Sequence, residues 1–156
     1  MYSTAPCAKN AARHTGIEMK LFTKQSDYAV RAIIGLARAR GAYRSSREIA
    51  REERIPLPFL RRILQTLAQH GVVEAREGAS GGVRLARPAR AIRLSEIVTY
   101  FQGPVQLSEC LFQKRLCHNR ASCVLRHRIM AIEALIVREF DKITIAALLR
   151  NGKHHA

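Results

Sequence analysis

Between residues 24 and 40 the apolar positions Ala29, Ile33, Leu36 and Ala37 recur at the spacing of one helical face, and Gly41 follows as a stop signal. A second, shorter helix is expected from Ser45 and Ser46 through Glu53, because a serine oxygen at a helix start accepts hydrogen bonds from first-turn amides that otherwise lack partners. Ile55-Pro56-Leu57-Pro58 then interrupts the chain: proline restricts the residue before it and cannot continue a helix, yet it fits the first turn of a new one. That new helix is expected over residues 58–69. Leu60, Ile63, Leu64 and Leu67 form its apolar stripe, Gly71 ends it, and Phe59, Arg61, Arg62, Gln65 and Gln69 occupy the outer face.

After Gly71, the segments 72–76 and 83–87 flank Glu77-Gly78-Ala79-Ser80-Gly81-Gly82, whose glycines permit positive φ in a bent ribbon. Helix, helix, tight turn, helix and hairpin is the order of a winged helix-turn-helix, in which the second helix of the motif enters the major groove. Pro88 ends the ribbon, a short helix is expected over 94–101 with Ser95 near its start, and Gly103-Pro104 closes it. From residue 124 to 143, Leu125, Ile129, Ile132, Ile136, Phe140 and Ile143 are spaced four, three, four, four and three apart, close to a coiled-coil seam. A long helix of this kind beside a small head suggests a homodimer; the alternative is that it packs back on its own domain. The expected fold is mainly α with a small β-wing. The chain divides into an extension (1–18), the winged helix-turn-helix (19–103), a cysteine-bearing loop (104–123), a dimerisation helix with a closing segment (124–149) and a tail (150–156).

Composition narrows the partners. A length of 156 residues suits one compact domain, or a small domain plus a dimerisation helix, and the formal charge of +15 attracts polyanions. The charge is concentrated, with fourteen arginines against five glutamates between Arg31 and Arg93, as phosphate binding requires. Double-stranded DNA is therefore the first partner to consider. No apolar run approaches the roughly 20 residues of a membrane-spanning helix, so no membrane role is expected. The first 18 residues read as a loose extension without the apolar core of a secretory signal, which points to a reducing cytoplasm. Nothing in the chain reads as a phosphate loop or catalytic constellation, so an enzyme is the poorest class.

In a reducing compartment, clustered cysteines more often bind metal than form disulfides. Cys110, Cys117 and Cys123 form a C-x6-C-x5-C array between two expected helices, with Lys114, Arg115 and Arg120 nearby to favour the thiolates. Soft thiolates suit an iron-sulfur cluster or zinc. Zinc could recruit His118 or His127, but the short paired clips common in zinc sites are missing. A disulfide with a spare thiol, or three unligated cysteines, stays open as well. Cys7 lies apart, in the extension.

Several stretches together resemble the family of winged-helix iron-sulfur regulators that includes NsrR, RirA and IscR. They are Lys24-Gln-Ser-Asp-Tyr-Ala-Val-Arg-Ala32, Glu48-Ile-Ala50, Phe59-Leu-Arg-Arg-Ile-Leu-Gln-Thr-Leu67, Ser80-Gly-Gly-Val-Arg-Leu-Ala-Arg-Pro88 and Asp141-Lys-Ile-Thr-Ile-Ala146. The resemblance spans residues 19–149. It implies a cytoplasmic homodimer, expected to be a repressor, on a palindromic promoter site, with an iron-sulfur cluster that senses iron, nitric oxide or redox state and sets DNA affinity. A [4Fe-4S] cluster is preferred over a [2Fe-2S] cluster. It further implies Asp27 of the other subunit as the fourth ligand beside Cys110, Cys117 and Cys123. Members using a histidine instead place it three residues after the last cysteine, where Arg126 stands here and His127 is displaced by one.

The implied DNA-facing residues are Pro58, Phe59, Arg61, Arg62 and Gln65 of the reading helix, with Arg76, Ser80, Gly81 and Gly82 of the wing. Leu125, Ile129, Ile132, Ile136 and Phe140 are the implied dimer seam. Two departures stand out: Glu77 occupies the position before the wing glycine where an arginine is frequent, with Arg76 beside it, and Pro56-Leu57-Pro58 replaces frequent serines. An arginine fork at Arg61 or Arg62 can pair with guanine or phosphate, and Phe59 either meets a thymine methyl or plugs the core. A zinc-stabilised or cluster-free DNA-binding or interaction module is the alternative reading.

Overall fold

Thr23 Oγ1 accepts the Ser26 amide at 3.2 Å and caps α1 (Lys24–Arg38), the first helix among the described residues. In this computed structural model the described residues are 22–78, 81–107 and 122–151. Ala29, Ala32, Ile33 and Leu36 line the inner face of α1, which ends two residues before the expected Arg40; Arg40 and Gly41 then turn the chain with φ of 50° and 92°.

α2 (Ser46–Glu52) starts on a reciprocal cap: Ser45 Oγ accepts the Glu48 amide at 3.2 Å, and Glu48 accepts the Ser45 amide at 3.0 Å. The turn to α3 (Leu57–Gln69) is made by Arg54 at φ 51°, with Ile55 N–H donating to Ala50 carbonyl at 2.9 Å. Ile55 itself is buried, and Pro56 and Pro58 bracket the first residue of α3, one position earlier than expected. Leu60, Ile63, Leu64 and Leu67 all point into the core, as the stripe predicts.

The wing is an antiparallel pair, β1 (Val73–Arg76) and β2 (Gly82–Leu85), in the register Val73↔Leu85, Glu74↔Arg84, Ala75↔Val83 and Arg76↔Gly82. A third segment joins it, because Arg44 exchanges backbone bonds of 2.9 and 2.8 Å with Val83. That pairing dictates Gly82: its φ is +150°, and a Cβ there would lie 2.6 Å from Arg44 carbonyl oxygen. Beyond a 3-10 turn (Ala89–Ala91) runs α4 (Leu94–Gln102), preceded by Arg93 rather than capped by Ser95, whose hydroxyl instead donates to Asp141.

α5 (Val124–Lys142) packs on α4 but has no buried residue of its own. α6 (Ile145–Asn151), not anticipated as a helix, returns to the head and lies against α1 and the 3-10 turn. Ile145 is fully buried; its amide donates to Ile92 carbonyl at 3.0 Å, and Leu94 amide to Ile143 carbonyl at 2.9 Å. The core thus runs continuously from Ala29 and Ile33 through the reading helix and wing base to Ile145.

A left-handed backbone costs a residue with a Cβ about 1–2 kcal/mol, partly offset by the greater freedom glycine loses on folding. Arg54→Gly is therefore expected to stabilise the fold by about 0.5–1 kcal/mol, read as a higher denaturation midpoint with an unchanged slope.

Candidate nucleic-acid interface

Because its apolar stripe is turned inward, α3 presents its other face to solvent. Pro58, Phe59, Arg61, Arg62 and Gln65 are all exposed. Phe59 is 50% exposed, so it does not plug the core; it overhangs Gln25 and Pro56 at the rim of a shallow hollow. On α2, Arg47 and Arg51 stand exposed four residues apart, on one side of the helix. Among the described residues, no carboxylate pairs with Arg47, Arg51, Arg61 or Arg62. The sequence reading left Arg47 and Arg51 out of the site, although their helical spacing was the available signal.

Several other arginines of the basic segment are paired with carboxylates. Arg44 reaches Glu52 at 2.5 Å and Glu48 at 3.4 Å, and these bonds hold its proton more tightly than usual. Arg38 lies 3.5 Å from Glu53, and Arg31 lies 3.7 Å from Asp27. Arg84 bonds Glu74 at 2.5 Å, while Tyr43 hydroxyl donates to the same carboxylate at 2.8 Å. The Tyr43 bond, then the Arg84 bond, lower the Glu74 pKa; the Tyr43 phenol is raised, chiefly by that same bond.

At the wing tip Arg76 and Glu77 are exposed, and Gly81 and Gly82 make the close return to β2. A Cβ on Gly81 would meet Arg76 carbonyl oxygen at 2.3 Å. Ser80 lies outside the described residues. At the wing base, Glu96 of α4 gathers three donors. It accepts from Arg87 at 2.9 Å, Tyr100 hydroxyl at 3.3 Å and Arg93 amide at 3.3 Å. Tyr100 in turn stacks on His70, which caps the C-terminus of α3, with ring centroids 3.8 Å apart and planes 5° from parallel.

Of the cysteine array, Cys110 and Cys117 fall outside the described residues. Cys123 is a free, half-buried thiol at the N-cap of α5, and a sulfur donor of this kind suits a soft metal centre. Among the described residues no group of three or more metal-ligating side chains comes together. Asp27 is exposed in the first turn of α1, close to where α1, α4 and α5 converge. There Thr23 amide and Ser26 hydroxyl both donate to Gln102 Oε1, at 3.0 and 2.9 Å, and Phe22 meets Phe140 edge-on at 6.2 Å. Arg126 and His127 lie in the first turn of α5, Arg126 half-buried and His127 exposed.

The expected seam of α5 divides. Ile129, Ile136 and Phe140 are half-covered by their own chain, whereas Leu125 and Ile132 are exposed, together with Val124, Met130, Leu135 and Val137. No helix among the described residues is long and apolar enough to cross a membrane.

A reading helix seated by its apolar face, a helix before it bearing unpaired arginines and a two-stranded wing define a DNA-binding transcriptional regulator of the winged helix-turn-helix class. A family model described as Rrf2, iron-dependent transcriptional regulator, matches residues 22–151, and the chain belongs to that family. A protein of Aquifex aeolicus (strain VF5) assigned as an HTH-type transcriptional regulator is 28% identical over 137 residues, which cover 86% of this chain and 95% of that protein. Among solved structures, T. potens IscR aligns with a TM-score of 0.69 at 23% identity, over 90% of this chain and 96% of its own. CymR, the global cysteine regulator of B. subtilis, aligns with a TM-score of 0.68 at 21% identity, over 85% of this chain and 98% of its own.

The pKa shifts give a pH signature. The Ser45 amide, then the Arg44 guanidinium, hold the Glu48 carboxyl below its ordinary value. A carboxylate depressed in the fold stabilises it at neutral pH, and that contribution disappears as pH falls from the unfolded pKa through the lower folded one. Melting temperatures should therefore drop across that acid window, and Glu48→Gln should flatten the drop while leaving the neutral-pH dependence unchanged.

Proposed function

We propose that this chain acts in the cytoplasm as a homodimeric repressor of a palindromic promoter site, its affinity set by an iron-sulfur cluster that responds to iron, nitric oxide or redox state. The observation that carries the reading is the place of Cys123 at the N-cap of α5, the helix whose other end meets the start of α1 through Phe140 and Phe22. Cys110, Cys117 and Cys123 would hold the cluster, in preference a [4Fe-4S] form, with Asp27 of the partner subunit as fourth ligand. Bound there, the cluster supplies an iron whose carboxylate ligand is weaker than thiolate and so is open to attack by nitric oxide or oxygen.

The protein residues do the rest. Ser26 and Thr23 fix the start of α1 to Gln102 at the end of α4, so a shift at the cysteine segment displaces α1 and α4 together. α4 carries Glu96 and Tyr100, which grip the wing base and the reading helix cap. Leu125, 68% exposed, and Ile132, 50% exposed, offer apolar surface to a second copy, and the half-covered Ile129, Ile136 and Phe140 complete that seam. Two heads joined this way read half-sites about one helical turn apart, so a small change in their spacing alters affinity. The family's description as iron-dependent supports a metal-linked signal.

Anaerobic purification should give a coloured protein containing iron and acid-labile sulfide, and Cys123→Ala should abolish both. A colourless native protein, or zinc without sulfide, would overturn the cluster and favour the zinc-stabilised or cluster-free module. Arg62→Ala is expected to weaken binding to a promoter duplex by about tenfold, within the ~1–3 kcal/mol of a guanidinium contact. Unchanged affinity in a gel-shift titration would place the reading face elsewhere.

A further inference from the structure

The wing carries two arginines on one face, and the structure treats them differently. In the register Glu74↔Arg84 and Arg76↔Gly82, the side chains of Glu74, Arg76 and Arg84 project from the side opposite Val73, Val83 and Leu85. Tyr43 reaches that same side because the next residue, Arg44, pairs with Val83. Its ring lies under both guanidinium groups, 4.7 Å from Arg84 and 6.0 Å from Arg76, the latter at the outer range of a cation–π contact. Its hydroxyl holds Glu74, the carboxylate that neutralises Arg84.

We infer that Tyr43 is a positioning residue that sorts the two wing arginines: it keeps Glu74 on Arg84 and leaves Arg76, steadied by an uncharged ring, as the cation the wing offers to DNA. This rests on the DNA-binding reading above. A carboxylate partner would cancel the charge of Arg76; a π face orients the guanidinium without cancelling it, and so loosely that DNA can draw it away. Glu77 occupies the next position and has no pairing with Arg76 among the described residues. The distinction also explains how an acidic residue on β1 is compatible with a DNA-facing wing, since Glu74 is already engaged by Tyr43 and paired in charge with Arg84.

The test uses the full chain and a duplex that the native protein selects from a random-sequence pool. Arg76→Ala and Tyr43→Leu should each weaken binding by about tenfold, and the double variant should be no weaker than Arg76→Ala within about twofold, because the two act through one contact. Tyr43→Phe, which keeps the ring but drops the hydroxyl that holds Glu74, should fall between the native chain and Tyr43→Leu, about threefold weaker than native. If Arg76 meets phosphate, the salt slope falls by about one in Arg76→Ala and Tyr43→Leu alike; if it meets bases, both relax the selected sequence at the same flanking positions. Should Tyr43→Leu lack a native melting transition, the strand-compatible Tyr43→Thr takes its place in the cycle with the same expectations. Multiplying losses in the double variant, or a Tyr43→Leu that binds like the native chain, would overturn the role of Tyr43 alone. A native chain that selects no duplex would overturn the DNA-binding reading with it.

Discussion

Everything that faces DNA in this protein depends on how one helix is seated. α3 is thirteen residues long, and four leucine and isoleucine side chains on one side of it are at most 6% exposed. Burying each such side chain is worth about 1.5–3 kcal/mol, far more than any single surface contact on the opposite face. The stripe therefore fixes the rotation of α3 about its own axis, and that rotation decides that Arg61, Arg62 and Gln65 look outward. The two prolines set where the helix begins, and the His70–Tyr100 stack holds where it ends.

Charge is organised on top of that seat. A high arginine content alone would produce a diffuse attraction to any polyanion. The carboxylates of α2, β1 and α4 instead remove specific arginines from play, so Arg44, Arg84 and Arg87 serve the fold while Arg47, Arg51, Arg61 and Arg62 keep their full charge. Direction comes from subtraction: the few acidic residues shape a broad positive field into a face.

The sequence foretold what local rules govern. The helix starts at Ser45 and Pro56, the stripe of α3 and the hairpin around the glycines depend on neighbours within a few residues, and they sit within two residues of their expected limits. Long-range partners were not legible. The pairing of Arg44 with Val83 and the return of Ile145 to the core join residues far apart in sequence, and α6 is too short for periodicity to announce it. Phe59 was ambiguous because an aromatic on a helix flank suits either core or surface, and only the packing settles it as half-exposed. The seam of α5 was visible as a single stripe; spacing could not say that Phe140 turns to Phe22 while Leu125 stays uncovered. Of the proposed cluster ligands, Cys123 and Asp27 are placed by the structure, and their chemistry was legible from residue type alone.

The return of the chain at Ile145 has a consequence for synthesis. The core that α1 opens is closed by a residue near the far end of the sequence, with its amide bonded to Ile92. Contacts of such wide separation form late, because the intervening chain must exist and be brought together first. A head still attached to the ribosome, or a product cut short by premature termination before residue 145, is left without its closing side chain. Partial chains are thus poor competitors for DNA, and only protein that has been made through α6 is equipped to bind it.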